Sequence, residues 1–285
     1  MTRHDRTSRV PRGVMRVLGG AAALAVVSAV VSVSPAMAAP CYGDCKPGVV
    51  RSQGVLKYDA PVGLNDQITV SSGAGFVAVT DPAATLTVGI GCTLVSPHEA
   101  HCANAGSMVI RGLDGADVIT NATALPARLM GGDGNDRLAG GSGDDILTGG
   151  FGSDVLQGGA GSDTVSYAET SARLAVRADL DGATGDDGSS EDGAAGARDT
   201  IAADVENLEG TIKDDVLIGN AGPNAISASG GHDQIQGLGG DDQLVGKGGG
   251  ALDGGAGADH CTSDLRGLPF PADSFTGCET KEILS

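Results

Sequence analysis

The sequence contains a run of nine-residue units in which glycine, aspartate and an aliphatic residue recur at fixed positions. Four units begin at Gly131, Gly140, Gly149 and Gly158 without an insertion, and each has Asp at position six and Leu or Val at position eight. Glycine adopts the positive φ angles of tight turns, and an x-apolar-x triplet is a minimal strand. Each unit therefore predicts one turn and one strand, so that units n and n+2 stack as parallel strands of a solenoid.

The same pattern recurs, with substitutions, on both sides of this run. Residues 112–120 form a looser copy, and a second array follows after a gap of different composition. The units of this second array start at Gly210, Gly219, Ala228, Gly237, Gly246 and Gly254. Residues 112–166 and 210–262 are therefore predicted to form two arrays of one roll.

Stacking places the sixth-position side chains of alternate units above one another. Asp136 is expected to lie over Asp154 on one edge of the roll, and Asp145 over Asp163 on the other. Carboxylates and inward-facing carbonyls offer only oxygen ligands, which favours Ca²⁺, because it accepts six to eight oxygens in flexible geometry whereas Mg²⁺ requires an octahedron. The candidate calcium ligands are Asp117, Asp136, Asp145, Asp154, Asp163, Asp215, Asp233, Asp242 and Asp259.

The repeated unit resembles the hemolysin-type (RTX) calcium-binding repeat, G-G-x-G-x-D-x-U-x, of which residues 131–166 hold four copies in register. The resemblance implies an all-β fold, a right-handed parallel β-roll that binds Ca²⁺ between its turns through the position-six aspartates and glycine-turn carbonyls. Gram-negative toxins of this family usually leave the cell by a C-terminal signal. The Arg-rich N-terminal segment here is more similar to that of secreted actinobacterial relatives.

Two units of the second array depart from the pattern. Asn224 replaces the sixth-position Asp of its unit. Residues 246–253 form a unit of eight residues in which Ala251 stands where Asp is expected, close to Lys247. We expect one calcium site to be missing or distorted in this shorter unit.

Residues 1–38 have the features of a secretory signal peptide. Five arginines precede the apolar run 21–33, and Ala36-Met37-Ala38 provides a small-x-small cleavage site. The run is too short to span a bilayer, and no later apolar run approaches membrane length. The chain is therefore expected to be secreted and extracellular, with no membrane span.

All six cysteines follow this segment, and an even number outside the cell predicts disulfides. Fifteen pairings are consistent with the sequence. Proximity favours Cys41–Cys45, Cys92–Cys102 and Cys261–Cys278, of which the last would pin the C-terminal end of the roll. The alternative role of the cysteines is to bind zinc, but no Cys-x-x-Cys spacing, which is typical of zinc sites, occurs in the sequence.

The segments outside the arrays are predicted as follows. Residues 39–111 contain short β-type runs separated by Gly, Pro and Asp, and form an N-terminal β cap with disulfides. Residues 167–209, which include the acidic stretch 179–199, form an excursion from one coil with weak cation binding at most. Residues 263–285 form a C-terminal cap that covers the open edge of the roll.

Composition excludes some functions. With a net charge of −18, 2% aromatic residues and no Trp, the chain repels phosphate backbones and lacks stacking platforms, so nucleic acid is excluded as a partner. No nucleophile elbow or P-loop occurs, and His98 and His101 are one residue too close for the zinc protease helix. The sequence favours a non-enzymatic calcium-binding protein with a structural or interaction role and a cell-envelope or matrix partner. A calcium-dependent adhesin and an extracellular hydrolase with an unrecognised site are the alternatives.

Overall fold

Each repeat ends in a short strand whose central aliphatic side chain is buried inside the molecule. In the computed structural model, Leu138, Leu147 and Leu156 are fully buried. Leu138 pairs with Leu156 in one parallel sheet, and Leu147 pairs with Val165 in another. The predicted stacking of units n and n+2 in a parallel β-roll is thus confirmed. The structure describes residues 48–168, 174–190, 192–194, 196–266 and 271–285.

The described strands form two walls that enclose this aliphatic core. The first wall is one twelve-stranded sheet, made of β1 (Val49–Ser52), β2 (Val55–Asp59), β5 (Thr87–Val88), β8 (Ser107–Asp114), β10 (Ala127–Asp133), β12 (Ile146–Phe151), β14 (Thr164–Ser166), β17 (Asn207–Glu209), β19 (Ala225–Ser227), β21 (Gln243–Gly246), β23 (His260–Asp264) and β25 (Thr280–Leu284). The second wall begins with an eight-stranded sheet, made of β3 (Gln67–Gly73), β4 (Phe76–Thr80), β6 (Cys92–Ser96), β7 (Glu99–Cys102), β9 (Val118–Ala122), β11 (Arg137–Gly141), β13 (Val155–Gly159) and β16 (Thr200–Ile201). It continues in a five-stranded sheet, made of β15 (Arg177–Asp179), β18 (Val216–Ile218), β20 (Gln234–Gln236), β22 (Ala251–Asp253) and β24 (Ser274–Thr276). Among the described residues, no helix is long and apolar enough to cross a membrane.

The two arrays join differently on the two walls. On the first wall β14 pairs directly with β17, so that Val165 lies beside Leu208. On the second wall β16 follows β13, and antiparallel bridges at Asp187 and Gly188 then connect it to β15, which pairs with β18. The described part of the segment between the arrays therefore contributes strands to the second wall, because its alternating apolar side chains at Val176, Ala178 and Leu180 are buried.

The strands before the first array continue both walls. β2 pairs in parallel with β8, and β3 pairs in parallel with β9. Beyond β3 the second wall turns antiparallel through β4, β7 and β6. The Cys92–Cys102 disulfide joins β6 to β7. Residues 1–38, Cys41 and Cys45 lie outside the described residues.

At the other end, Cys261 on β23 forms a disulfide with Cys278, which precedes β25. Both this pair and Cys92–Cys102 are pairings that sequence proximity predicted. Cys261 occupies the inward aliphatic slot of its unit, pairing in register with Leu244, and is fully buried. The disulfide therefore attaches the last strand of the first wall to the core of the roll.

Replacing both Cys261 and Cys278 by Ser is expected to lower the calcium-bound free energy of unfolding by roughly 3 kcal/mol, because the disulfide closes a short loop in the unfolded chain. Chemical denaturation of the calcium-bound protein measures this loss. Replacing both Cys92 and Cys102 is the control, since that loop is shorter and the expected loss is smaller. A larger loss for the control pair would contradict the assigned role of the C-terminal disulfide.

Candidate metal centres along the edges of the roll

The nine candidate ligands lie immediately before strands, at the two edges where the chain enters a wall. We call the residues that precede first-wall strands the first edge, and those that precede second-wall strands the second edge. All nine side chains are at most 2% exposed. The first edge contains Asp145, Asp163, Asp242 and Asp259. The second edge contains Asp117, Asp136, Asp154, Asp215 and Asp233.

One oxygen of each carboxylate connects neighbouring coils. The amide of Asp136 donates to Asp154 Oδ1 at 2.8 Å, and the amide of Asp145 donates to Asp163 Oδ1 at 2.9 Å. The separation is eighteen residues in both cases. The structure therefore brings together the residues that the sequence analysis predicted to stack on each edge.

The second oxygen of most of these carboxylates has no hydrogen-bond partner although it is buried. In the repeat, Oδ2 points towards the first glycine of its own unit, beside the carbonyl of the corresponding glycine one coil further on. At Gly131, for example, an added Cβ would collide with Asp136 Oδ2 and with the Gly149 carbonyl oxygen. The buried carboxylates whose Oδ2 lacks a partner in this way are Asp117, Asp136, Asp145, Asp154, Asp163, Asp233, Asp242 and Asp259.

These unpartnered oxygens fit a hard cation. A buried carboxylate oxygen without a donor is costly, and a cation that shares it between coils removes the cost. The donors next to it are carboxylate and carbonyl oxygens, the ligands that Ca²⁺ prefers. In the regular units the first position must be glycine, because a side chain there would collide with these same oxygens.

Asp215 is the exception among the nine. Its Oδ2 accepts hydrogen bonds from the amide of Thr211 at 2.7 Å and from the Thr211 hydroxyl at 3.2 Å. Thr211 stands where regular units have their second glycine. The Asp215 carboxylate is therefore satisfied by the protein itself and has less need of a cation than Asp136.

The buried carboxylates resist ionisation when no cation is near. Burial raises the pKa of Asp136 to about 8, and the carboxylates of Asp154 and Asp117 add to that rise. Burial likewise raises the pKa of both Asp145 and Asp154 to about 7. The cation-free edges therefore favour protons near neutral pH, and calcium must compete with them.

Because protons and calcium compete, the stability of the cation-free roll and the affinity for calcium should depend on pH with opposite signs. Because these carboxyl groups have a higher pKa in the roll than their ordinary value near 3.8, the cation-free roll is stabilised below about pH 4 and loses that stability as pH rises through 7 to 8. Calcium affinity should instead fall as pH decreases from 8 to 6, because protons occupy the same oxygens. Calcium titrations at both pH values check this, and equal affinities would contradict it.

Further acidic residues occupy the same edge positions but were missed by the sequence analysis. The amide of Asp154 donates to Asp199 Oδ1, and the amide of Asp163 donates to Glu206 Oε2. The amide of Asp259 donates to Glu279 Oε2. For Asp199 and Glu206 the signal is an acidic residue two positions before a buried apolar residue, as in Asp199-Thr200-Ile201, whereas Glu279 is followed two positions later by the exposed Lys281 and carries no such signal. The edges are therefore longer than the regular repeats.

The eight-residue unit requires a correction. Strand pairing aligns Ala251 with Gln234, so the edge position next to Asp233 is Gly250 and not Ala251. The deletion lies in the turn, which shifts the position by one residue. The amides of Gly248 and Gly250 donate to the Asp273 carboxylate at 3.0 and 2.7 Å. A carboxylate of the C-terminal segment therefore accepts the hydrogen bonds of this turn.

At Asn224 an amide side chain takes the place of the carboxylate and connects neighbouring coils by hydrogen bonds. Its Nδ2 donates to the Glu206 carbonyl at 2.8 Å, and its Oδ1 accepts from the amide of Asn220 at 2.8 Å. The amide therefore holds two coils together without a cation. Asn224 is 3% exposed, so these hydrogen bonds are shielded from water.

Asn224→Asp is expected to create a dependence on calcium at this position, because a second carboxylate oxygen replaces the donor group. The variant should melt at a lower temperature than the wild type when calcium is below saturation and recover in saturating calcium. Thermal unfolding under the two conditions measures the difference. Asn224→Ala is the control, since it loses both hydrogen bonds of the side chain and gains no ligand, and a recovery as large as that of Asn224→Asp would contradict the interpretation.

The segment between the arrays contains a separate acidic cluster. Carboxylate oxygens of Asp179, Asp181 and Asp186 lie within 4.8 Å of one another. Asp179 is also 3.2 Å from the Arg177 guanidinium, which neutralises part of this charge. The cluster could hold a metal ion, although it lies outside the repeating positions.

Comparison with known proteins agrees with this geometry. The family model of the RTX calcium-binding nonapeptide repeat matches four copies, over residues 130–165, 202–226 and 218–250. The second match begins within the segment that the sequence analysis assigned to the excursion, and it includes the unit of Glu206. No curated protein matches the chain. The chain carries hemolysin-type RTX repeats, and these repeats bind calcium.

Proposed function

We propose that this calcium-binding protein with hemolysin-type RTX repeats is secreted, and that its roll folds outside the cell when calcium binds. The observation that carries the proposal is the series of buried, unpartnered carboxylate oxygens along both edges. Such a roll is poorly stable without cations, which suits a chain that crosses a membrane unfolded from a compartment poor in calcium. Calcium then acts as both ligand and folding signal.

Two further features support an extracellular setting. The described cysteines form disulfides, which persist mainly in oxidising compartments. Residues 1–38 have the composition of a cleaved export signal.

Expression of the full chain and of a variant that lacks residues 1–38 tests secretion. The full chain should accumulate in the medium, shortened at its N-terminus, while the truncated chain stays in the cell. Equal distribution of both would contradict secretion.

The proposed role is structural or interactive and not catalytic. This proposal is supported by the side chains of the protein, because those with reactive chemistry are mostly carboxylates that lie along the edges of the roll. The partner we propose is a component of the cell envelope or matrix. A pull-down from envelope extracts in calcium and in chelator tests this, and capture that is equal in both conditions would contradict a calcium-dependent role. Activity on a panel of hydrolase substrates would contradict the non-catalytic role.

A further inference from the structure

The second edge begins at Asp66, one coil before the first aspartate that the repeat pattern identified. Asp66 precedes β3, and its amide donates to Asp117 Oδ1 at 2.7 Å, as the later residues of this edge do. The other neighbour of β3 is the antiparallel strand β4, so the next coil that would donate an amide to Asp66 is replaced by a hairpin. Both carboxylate oxygens of Asp66 therefore lack a hydrogen-bond partner, although the side chain is 0% exposed.

A second buried carboxylate faces Asp66 from outside the repeats. Asp81 follows β4 and is also 0% exposed. Its Oδ2 accepts a hydrogen bond from the Tyr58 hydroxyl at 2.7 Å, and its Oδ1 accepts one from the amide of Ala83 at 3.1 Å. These two contacts fix the Asp81 carboxylate, whose charge acts on Asp66 more strongly than that of any other residue. Two buried carboxylates that act on each other in this way repel unless a proton or a cation lies between them.

The surroundings of the pair favour a cation. Burial raises the pKa of Asp66 to about 7, and the charges of Asp81, Asp117 and Asp114 raise it further. The charged groups that act most strongly on Asp66 are thus all acidic. The pair offers carboxylate oxygens next to a phenol oxygen, a hard donor set of the kind that binds calcium.

We propose that Asp66 and Asp81 hold a divalent cation, in the extracellular setting Ca²⁺, at the junction of the β2–β7 region with the roll. The site differs from those of the repeats because one ligand comes from a hairpin outside them. Bound calcium would fasten that hairpin to the first coil. The choice of Ca²⁺ rests on the proposed function, whereas the site itself does not, since it contains no glycine-turn unit.

Terbium is a suitable probe, because it occupies calcium sites and luminesces when a nearby tyrosine absorbs light. The chain contains three Tyr and no Trp, so few groups can sensitise it. In a Tyr167→Phe background, which removes the tyrosine bonded to Asp199, Tyr58→Phe should abolish most of the remaining sensitised emission. Asp81→Asn should remove the same emission and one equivalent of bound calcium, with the calcium-induced β-structure retained.

Asp114→Asn is the matched control. It removes the same charge near Asp66, but the Asp114 carboxylate accepts from the amide of Gly63 at the surface, and calcium stoichiometry should not change. Full stoichiometry and full emission in Asp81→Asn would overturn the proposal and assign a shared proton to the Asp66–Asp81 pair. Undiminished emission in Tyr58→Phe would overturn it as well. Emission that depends on Tyr58 in a chain that gains no β-structure with calcium would refute the proposed function and leave this site standing.

Discussion

In excess chelator at about pH 8, the full chain is expected to show the far-ultraviolet circular dichroism of a largely disordered protein, and to gain a β spectrum as calcium is added. Each coil of the regular array buries only two aliphatic residues of the Leu138 and Leu147 kind, which is little apolar burial against the entropy of ordering the coil. The carboxylates of the edges add repulsion and unpartnered buried oxygens. The gain should be cooperative, since each ion joins two coils, and should require calcium in the range of extracellular modules, roughly 10⁻⁴ to 10⁻³ M.

Magnesium at the same concentration is the control for this titration. It should restore little β-structure, because it demands octahedral geometry and gives up its water reluctantly. A fully formed β spectrum in chelator at pH 8 would contradict calcium-driven folding. A measurement near pH 4 separates the two effects, because protonated carboxyl groups should restore part of the structure without any cation.

The second large effect is expected from Asp145→Asn compared with Asp144→Asn. The two residues are adjacent in one turn and lose the same charge, but Asp145 is 1% exposed with an unpartnered Oδ2, whereas Asp144 is exposed and accepts a surface hydrogen bond from the amide of Ser162. Asp145→Asn should reduce calcium stoichiometry and cost on the order of 3 kcal/mol of calcium-bound stability, as the loss of a buried ionic partner does. Asp144→Asn should change stability by less than about 0.5 kcal/mol.

Calorimetric titration and thermal unfolding in saturating calcium measure both quantities. Equal losses in the two variants would show that charge density, and not the sixth position, determines binding. A loss of stability without a loss of stoichiometry in Asp145→Asn would show that its carboxylate serves only the amide of Ala127, to which it is bonded at 2.6 Å.

The regular array was predictable because its period is strict. Glycines and aspartates at fixed spacing specify which residues share an edge, and Asp136 and Asp154 lie in neighbouring coils as the eighteen-residue repeat requires. The aliphatic slots were predictable for the same reason. Leu217 and Ile235, although their turns have lost glycines, still pair in register.

The rest could not be predicted from the period. Asp154 has Asp199 as its next neighbour on the edge, forty-five residues away, because the segment between them inserts strands into the second wall. No fixed spacing connects the two residues. Asp66 and Asp81 were missed because they lie before the repeats, next to β3 and β4, and only the tertiary pairing of β3 with β9 places Asp66 on the edge. The position of Gly250 was misplaced by one residue, since a deletion in the turn leaves the strand register intact.

The unpartnered buried oxygens of the two edges should be the calcium ligands of this protein. Anomalous diffraction from crystals of the calcium-loaded protein tests this without any mutation, because it locates the ions themselves. We expect ions beside Asp136 Oδ2 and Asp145 Oδ2, one series on each edge, and none at the amide link of Asn224. Ions confined to exposed acidic groups such as Asp144, with the edge oxygens bare, would contradict it.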